Sequence, residues 1–373
     1  MKKGILSFMM STVMMFSLSS NVFAQEINDT KKDNKETTLN LTIKDVLDRV
    51  KNDNLEIKII DQKIELLSKI YSRDKAKAYE AETMKRNDVF SKRTELIIPK
   101  QSSLRIDDAE HEKDKRLKEI KHDLENQYLN LVNSDREIEI INKSIENVEE
   151  EIKKTNAKIS QGVEVTRALE SLNVKKAQLL SSLSKPKLER EEALIKIKQY
   201  LNIDKDTKLN LAAAKIGFVK YDDSKIEEII DKALANSYDL IRKNKELEIS
   251  KEEEKIYSKY GRNTMDEETD LRIKIEDLEN DIVEFKANLK INYWKAYYNV
   301  KAKQNMAEIE MLNLENAKSR YTEMDKKFKE GMIDKLQLNE VKLQLDKQNV
   351  ATERAINEYM IIVDGFKDLL EGF

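Results

Sequence analysis

Apolar side chains recur at steps of four and three along two long stretches of this chain. From about 268 to 329 the series is Leu271, Ile275, Leu278, Ile282, Phe285, Leu289, Tyr293, Ala296 and Val300. That is coiled-coil spacing, and it predicts one very long helix. A counterpart from about 108 to 160 carries Leu117, Ile120, Leu124, Tyr128, Leu131, Ile138, Ile141, Ile145, Val148 and Ile152 close to the same seam. Fifty helical residues extend ~75 Å. Each long helix runs into an isolated glycine, Gly162 or Gly331, which reads as a helix C-cap at a hairpin tip because the left-handed conformation suits glycine. Returning helices are expected over about 165 to 202 and 333 to 369, the first kinked or divided at Pro186. Between them, Leu209, Leu211, Ile216 and Phe218 within Lys208 to Val219 predict a short strand or two.

The chain also repeats itself. Val46-Leu47-Asp48-Arg49-Val50 and Asn54-Leu55-Glu56-Ile57 align with Ile229-Ile230-Asp231-Lys232-Ala233 and Ser237-Tyr238-Asp239-Leu240 at an offset of 183, and each reads as a helix start. Ile159 to Val163 aligns with Phe328 to Met332 at an offset of 169, with Leu169 matching Leu338. Internal duplication of this kind fixes the architecture before any residue is given a role. Each half is expected to hold an opening helix, an irregular connection (Tyr79 to Asp108, or Lys259 to Thr269), a very long helix, a glycine turn and a returning helix. The expected organisation is a signal peptide over 1–24, a flexible lead-in over 25–38, a first helical repeat over 39–202, a linker over 203–222 and a second helical repeat over 223–373. The signal rests on Lys2 and Lys3, the apolar stretch Ile5 to Leu18 and a Val22-Phe23-Ala24 cleavage site before Gln25. That stretch is shorter than the ~20 residues of a spanning helix.

Composition strengthens the helical reading. Only 7 glycines and 2 prolines occur in 373 residues, too few for the reversals of a sandwich, propeller or doubly wound sheet. Charged residues make up 37% and apolar ones 39%, the mixture of a long-helix protein. The 68 basic and 71 acidic side chains alternate rather than forming blocks, for a net charge of -3. Nucleic acid is therefore not an expected partner. With no cysteine, disulfides, thiolate metal sites and thiol nucleophiles are excluded.

These landmarks resemble the outer-membrane efflux protein family, the TolC-like channel components of tripartite export systems, over about residues 40 to 372. The resemblance is carried by the opening Leu39-Asn40-Leu41-Thr42-Ile43-Lys44-Asp45-Val46-Leu47, similar to the family's Leu-Thr-Leu-x-x-Ala-Leu start, and by the two glycine tips followed by amphipathic helix. It implies an all-α protomer of two internally repeated antiparallel coiled-coil hairpins, assembled as a homotrimer whose twelve helices enclose a tunnel. It also implies that the tips, Gly162, Val163 and Glu164 and Gly331, Met332 and Ile333, dock a periplasmic adaptor protein that works with an inner-membrane pump. The residues agree in part, since apolar Val163, Met332 and Ile333 at an exposed turn have no evident core to fill. Their other reading is the apolar contact that often accompanies a C-cap.

Two departures stand out. Family channels carry acids six and nine positions after the second tip glycine, ringing the tunnel entrance; here those positions are Gln337 and Glu340. One acid remains, and Glu340 reads equally as a solvated helix residue. Family members also insert barrel strands in both connections, and such strands need ~9–11 residues of apolar alternation. Neither connection supplies it, so at most a very short β element and no membrane β-barrel are expected, nor any membrane span after the signal.

No catalytic constellation, cofactor motif or metal-ligand spacing is evident. His111 and His122, the only histidines, lack a spaced carboxylate–histidine motif and read as solvated helix residues. Tyr293, Trp294, Tyr297 and Tyr298 read as core or subunit packing. The first functional reading is a non-enzymatic helical conduit of an export system. The alternative is an exported coiled-coil scaffold of the cell envelope without transport activity.

Overall fold

Both apolar seams form the longest helices of the molecule. The computed structural model describes residues 38–371 except 42, 212–216 and 263. The expected signal peptide and residues 25–37 of the lead-in lie outside the described residues, as does part of the strand expected near 208–219. In chain order the elements are β1 (Thr38–Leu41), α1 (Ile43–Asp53), α2 (Leu55–Met84), α3 (Val89–Leu96), α4 (Ile98–Ser160), α5 (Thr166–Ser182), α6 (Ser184–Tyr200), β2 (Lys208–Leu211), α7 (Ile226–Asn236), α8 (Tyr238–Tyr260), α9 (Met265–Lys329) and α10 (Lys335–Leu370). The fold is all-α, built on the hairpins α4 with α5 and α6, and α9 with α10. Along its other flanks α4 packs on α2 and α10, and α9 packs on α8.

The repeat offsets reappear as element boundaries. The opening helices α1 and α7 are each 11 residues long, and their bounds differ by the offset of 183 read from the sequence. Asn54 and Ser237, equivalent in that alignment, are the N-caps of α2 and α8 and are both buried. Asn54 Oδ1 accepts from the Glu56 and Ile57 amides at 2.9 and 3.2 Å, while its Nδ2 donates to the Tyr200 carbonyl at 3.1 Å. One side chain thus satisfies two of the donors that a helix start leaves open and fixes α2 to the end of α6.

Two expectations need correction. Residues 79–108 are not an irregular connection: α2 continues to Met84, only 85–88 and Ile97 lie outside helix, and α4 opens on Ile98 and Pro99. A proline in the first turn loses no helical hydrogen bond, because its missing N–H is one the helix start leaves unpaired. The second connection shrinks likewise to 261–264. Leu39 to Leu41, ahead of the opening helix, form β1, parallel to β2, with Leu39 opposite Leu209, Asn40 opposite Asn210 and Leu41 opposite Leu211. These are the only strands among the described residues. At Pro186 the expected division is found, with α5 and α6 meeting at Leu183.

Burial concentrates around the middle of the long helices. Val46, Val50, Ile57, Ile120, Leu124 and Ile197 form one cluster where α1, α2, α4 and α6 meet. Ile230, Ala233, Leu234, Leu240 and Tyr293 form its counterpart in the second half. A third gathers Val300, Ala307, Tyr359, Val363 and Phe366. Tyr359 is fully buried; its hydroxyl accepts from the Tyr221 amide at 2.8 Å and donates to the Val219 carbonyl at 3.2 Å, so the segment before α7 is bound onto α10. Among the described residues, no residue of α5 is buried, nor any of α4 beyond Val148, α9 beyond Ala307 or α10 before Thr352. The aromatic group expected on α9 divides: Tyr293 lies in the core, Tyr297 donates to Asp223 at 2.8 Å, and Tyr298 stays exposed beside Trp294.

Candidate functional site

The two hairpin tips share one backbone solution. At the first, the Gly162 amide donates to the Ile159 carbonyl at 2.9 Å and the Val163 amide to the Lys158 carbonyl at 2.9 Å. At the second, the Gly331 amide donates to Phe328 at 3.0 Å and the Met332 amide to Lys327 at 2.9 Å. This paired pattern is the Schellman cap, which satisfies carbonyls stranded at the helix end and requires a left-handed residue. Gly162 and Gly331 supply it with φ of +73° and +72°. A Cβ at either would meet nothing within 4 Å, so conformation alone selects glycine there. Gly162→Ala with Gly331→Ala is expected to destabilise each tip by ~1 kcal/mol, read as faster proteolysis at 160–166 and 329–335 with little change in the main thermal transition.

Past the caps the tips diverge. Asp334 caps α10, accepting from the Gln337 amide at 2.9 Å, while the Gln337 side chain accepts from the Asp334 amide at 3.1 Å. Gln337 is thus one half of a capping box, which gives it a structural reason to stand where the resemblance leads one to look for an acid. The Asp334 carboxyl is held below its ordinary range, first by the Gln337 amide and also by Lys154 and Lys158. Those lysines lie in the last turns of α4, so the second tip stands beside the end of the first long helix. Glu164 is exposed, and its Oε1 accepts from the Val165 amide at 3.3 Å.

Two of the three apolar tip residues stand clear of the rest of the chain. Val163 is 71% and Met332 69% exposed, and Ile333 is half-buried. The apolar contact that accompanies a Schellman cap joins the residue after the glycine to one about a turn back; here the residues three before each cap are Lys158 and Lys327. Above the tips a groove of about 370 Å³ runs between the hairpins. Glu340 lines it together with Glu151, Lys175, Arg320 and Lys347, an acid among mainly basic neighbours.

The histidines depart from expectation, for neither is a solvated surface residue. His111 stacks on Tyr238 with ring centroids 3.8 Å apart, and burial pushes its pKa down. His122 sits half-buried where α4 meets α10, with Nε2 2.8 Å from Asp368 Oδ2. Glu125 foremost, with Asp368, raises its pKa against partial burial. The sequence could not show this contact, because the histidine and Asp368 are 246 residues apart.

Comparison with solved structures supplies the fold's relatives. The outer-membrane channel OprN superposes with a TM-score of 0.63 at 11% identity, over 89% of this chain and 90% of that one. The Campylobacter jejuni CmeC outer membrane channel gives 0.64 at 10% identity over 88% and 85%. The outer membrane protein VceC from Vibrio cholerae gives 0.61 at 8% identity over 88% and 96%. The chain has the TolC-like fold of these channels. No protein-family model matches the sequence, and no curated protein matches it. The likeness lies in backbone architecture. Among the described residues no helix is long and apolar enough to cross a membrane.

Proposed function

We propose that this TolC-like chain is a subunit of an export conduit: an exported, non-enzymatic homotrimer whose hairpins enclose a passage and whose tips dock an adaptor protein working with an inner-membrane pump. The observation that carries this reading is the unpartnered apolar surface toward the tips. Val163 and Met332 stand exposed beyond the caps, and Val174, Leu180, Ile309 and Leu312 are between 49% and 65% exposed along the adjoining helices. Exposed apolar side chains grouped along the hairpins and at their ends suit contact with another chain. Closing hairpins against copies of themselves covers the sides, and an adaptor covers the ends. Glu340 would then face the passage near its entrance, the one acid in its pair of positions.

The short turns at 85–88 and 261–264 favour a conduit that does not itself build a membrane barrel. They also support a second reading, an envelope scaffold of the same fold without transport. Oligomeric geometry separates the two. The full 373-residue chain is 43.6 kDa; for the exported chain, light scattering is expected to give three times the mass left after signal removal, and negative-stain images a ring with a central opening. A monomeric or dimeric rod would transfer the assignment to the scaffold.

A further inference from the structure

His122, far along α4 from the tips, is surrounded by carboxylates from two helices. It lies on α4 with Glu125 one turn on, facing Asp364 and Asp368 one turn apart on α10. One donor atom from each of His122, Glu125 and Asp364 lies within 4.8 Å of the others. Ligands ~2.1 Å from a tetrahedral ion are about 3.4 Å apart, so a modest side-chain rotation closes the set. The imidazole is already oriented. Asp368 stands 2.8 Å from Nε2, and since an ionised carboxylate only accepts, the Nε2 proton points at it. In the neutral ring this leaves the lone pair on Nδ1. Nδ1 is shut off from solvent, and its one facing group, Glu125 Oε2 at 3.5 Å, is longer than a well-formed hydrogen bond. A carboxylate behind one ring nitrogen and an open lone pair on the other is how metal-binding histidines are commonly held.

Charge agrees with geometry. Four carboxylates, Glu125, Asp364, Asp368 and Glu371, gather with two ammonium groups, Lys118 and Lys121, leaving two negative charges. Lys121 pairs with Asp364 and, being about one-third exposed, has room to swing aside. We propose that His122, Glu125 and Asp364 form a divalent transition-metal site, positioned by Asp368, that ties α4 of the first half to α10 of the second. One nitrogen with carboxylate oxygens selects borderline ions of the zinc and cobalt kind over calcium or magnesium.

The inference is independent of the conduit reading, since binding is measured on the chain itself. Zinc chloride titrated into the full chain by calorimetry is expected to saturate at one ion per chain, and cobalt(II) to give a visible absorption band in the same stoichiometry. Zinc should also raise the melting temperature. His122→Gln and Asp364→Asn should each weaken zinc binding tenfold or more, and Asp368→Asn should weaken it while leaving the stoichiometry at one. Circular dichroism of each variant checks that helicity is retained, and a variant that misfolds leaves the other two to decide. Absence of saturable zinc binding, or binding unchanged in the folded variants, overturns the proposal.

Discussion

Aspartate in place of both Met332 and Ile333 is expected to abolish co-purification of an adaptor protein with a chain that still folds. Met332 touches little within its own chain, being 69% exposed, and Ile333 is only half-buried. Changing exposed positions usually moves stability by less than ~0.5 kcal/mol. At the centre of a docking surface the same change places charge where apolar contact is needed, and losses of 2 kcal/mol or more are ordinary for such positions, about thirtyfold in affinity. The new acids lie just past the C-terminus of α9, which disfavours them, and just before the N-terminus of α10, which favours them, so their interactions with the helix ends largely offset. Pull-down and thermal melting on the same samples separate the possibilities. Lost binding at constant melting temperature supports docking; a lowered melting temperature with binding retained assigns these residues to the cap.

Arg93→Ala is expected to lower stability by about 3 kcal/mol, whereas Glu253→Leu should cost under ~1 kcal/mol. The two side chains join α3 to α8 through a 2.6 Å hydrogen bond, but unequally. Glu253 is 7% exposed and Arg93 38%. Removing the arginine strands a buried carboxylate, which is the costly half of breaking such a pair. Removing the carboxylate lets the guanidinium turn to water while keeping its place over Tyr257, 5.7 Å from the ring. Urea unfolding of the two variants checks the ordering; equal losses would mean that packing on Tyr257 rather than charge compensation holds α3 in place. This pair closes the end of the molecule opposite the tips.

The long elements were legible because their information is local. Apolar steps of four and three define α4 and α9, and the offsets of 183 and 169 place α1 with α7 and tip with tip. What escaped was set by partners distant in sequence. β1 was missed because its partner strand is distant in sequence; the signal was the repeated Leu-Asn-Leu at 39–41 and 209–211, whose copies pair in register. The stretch 79–108 was read as irregular where α2, α3 and α4 are nearly continuous, since long solvated helices tolerate charge on most faces. At the tips, Asp334-Lys335-Leu336-Gln337 carried a capping-box spacing that was open to reading. The seat of His122 was not, because its carboxylate neighbour Asp368 arrives on the last helix.

Burial that stops at Val148, Ala307 and Thr352 divides the molecule energetically as well as spatially. Opening free energy follows apolar contact, so amide protection should be high around Ile120, Tyr293 and Tyr359 and fall away along the outer turns of α4, α5, α9 and α10. The hairpin ends can separate, bend or re-register without breaching any of the buried clusters, while the middle of the protomer stays folded as one unit. Free energy gained by covering the tips can therefore act on a compliant segment hinged on a rigid one.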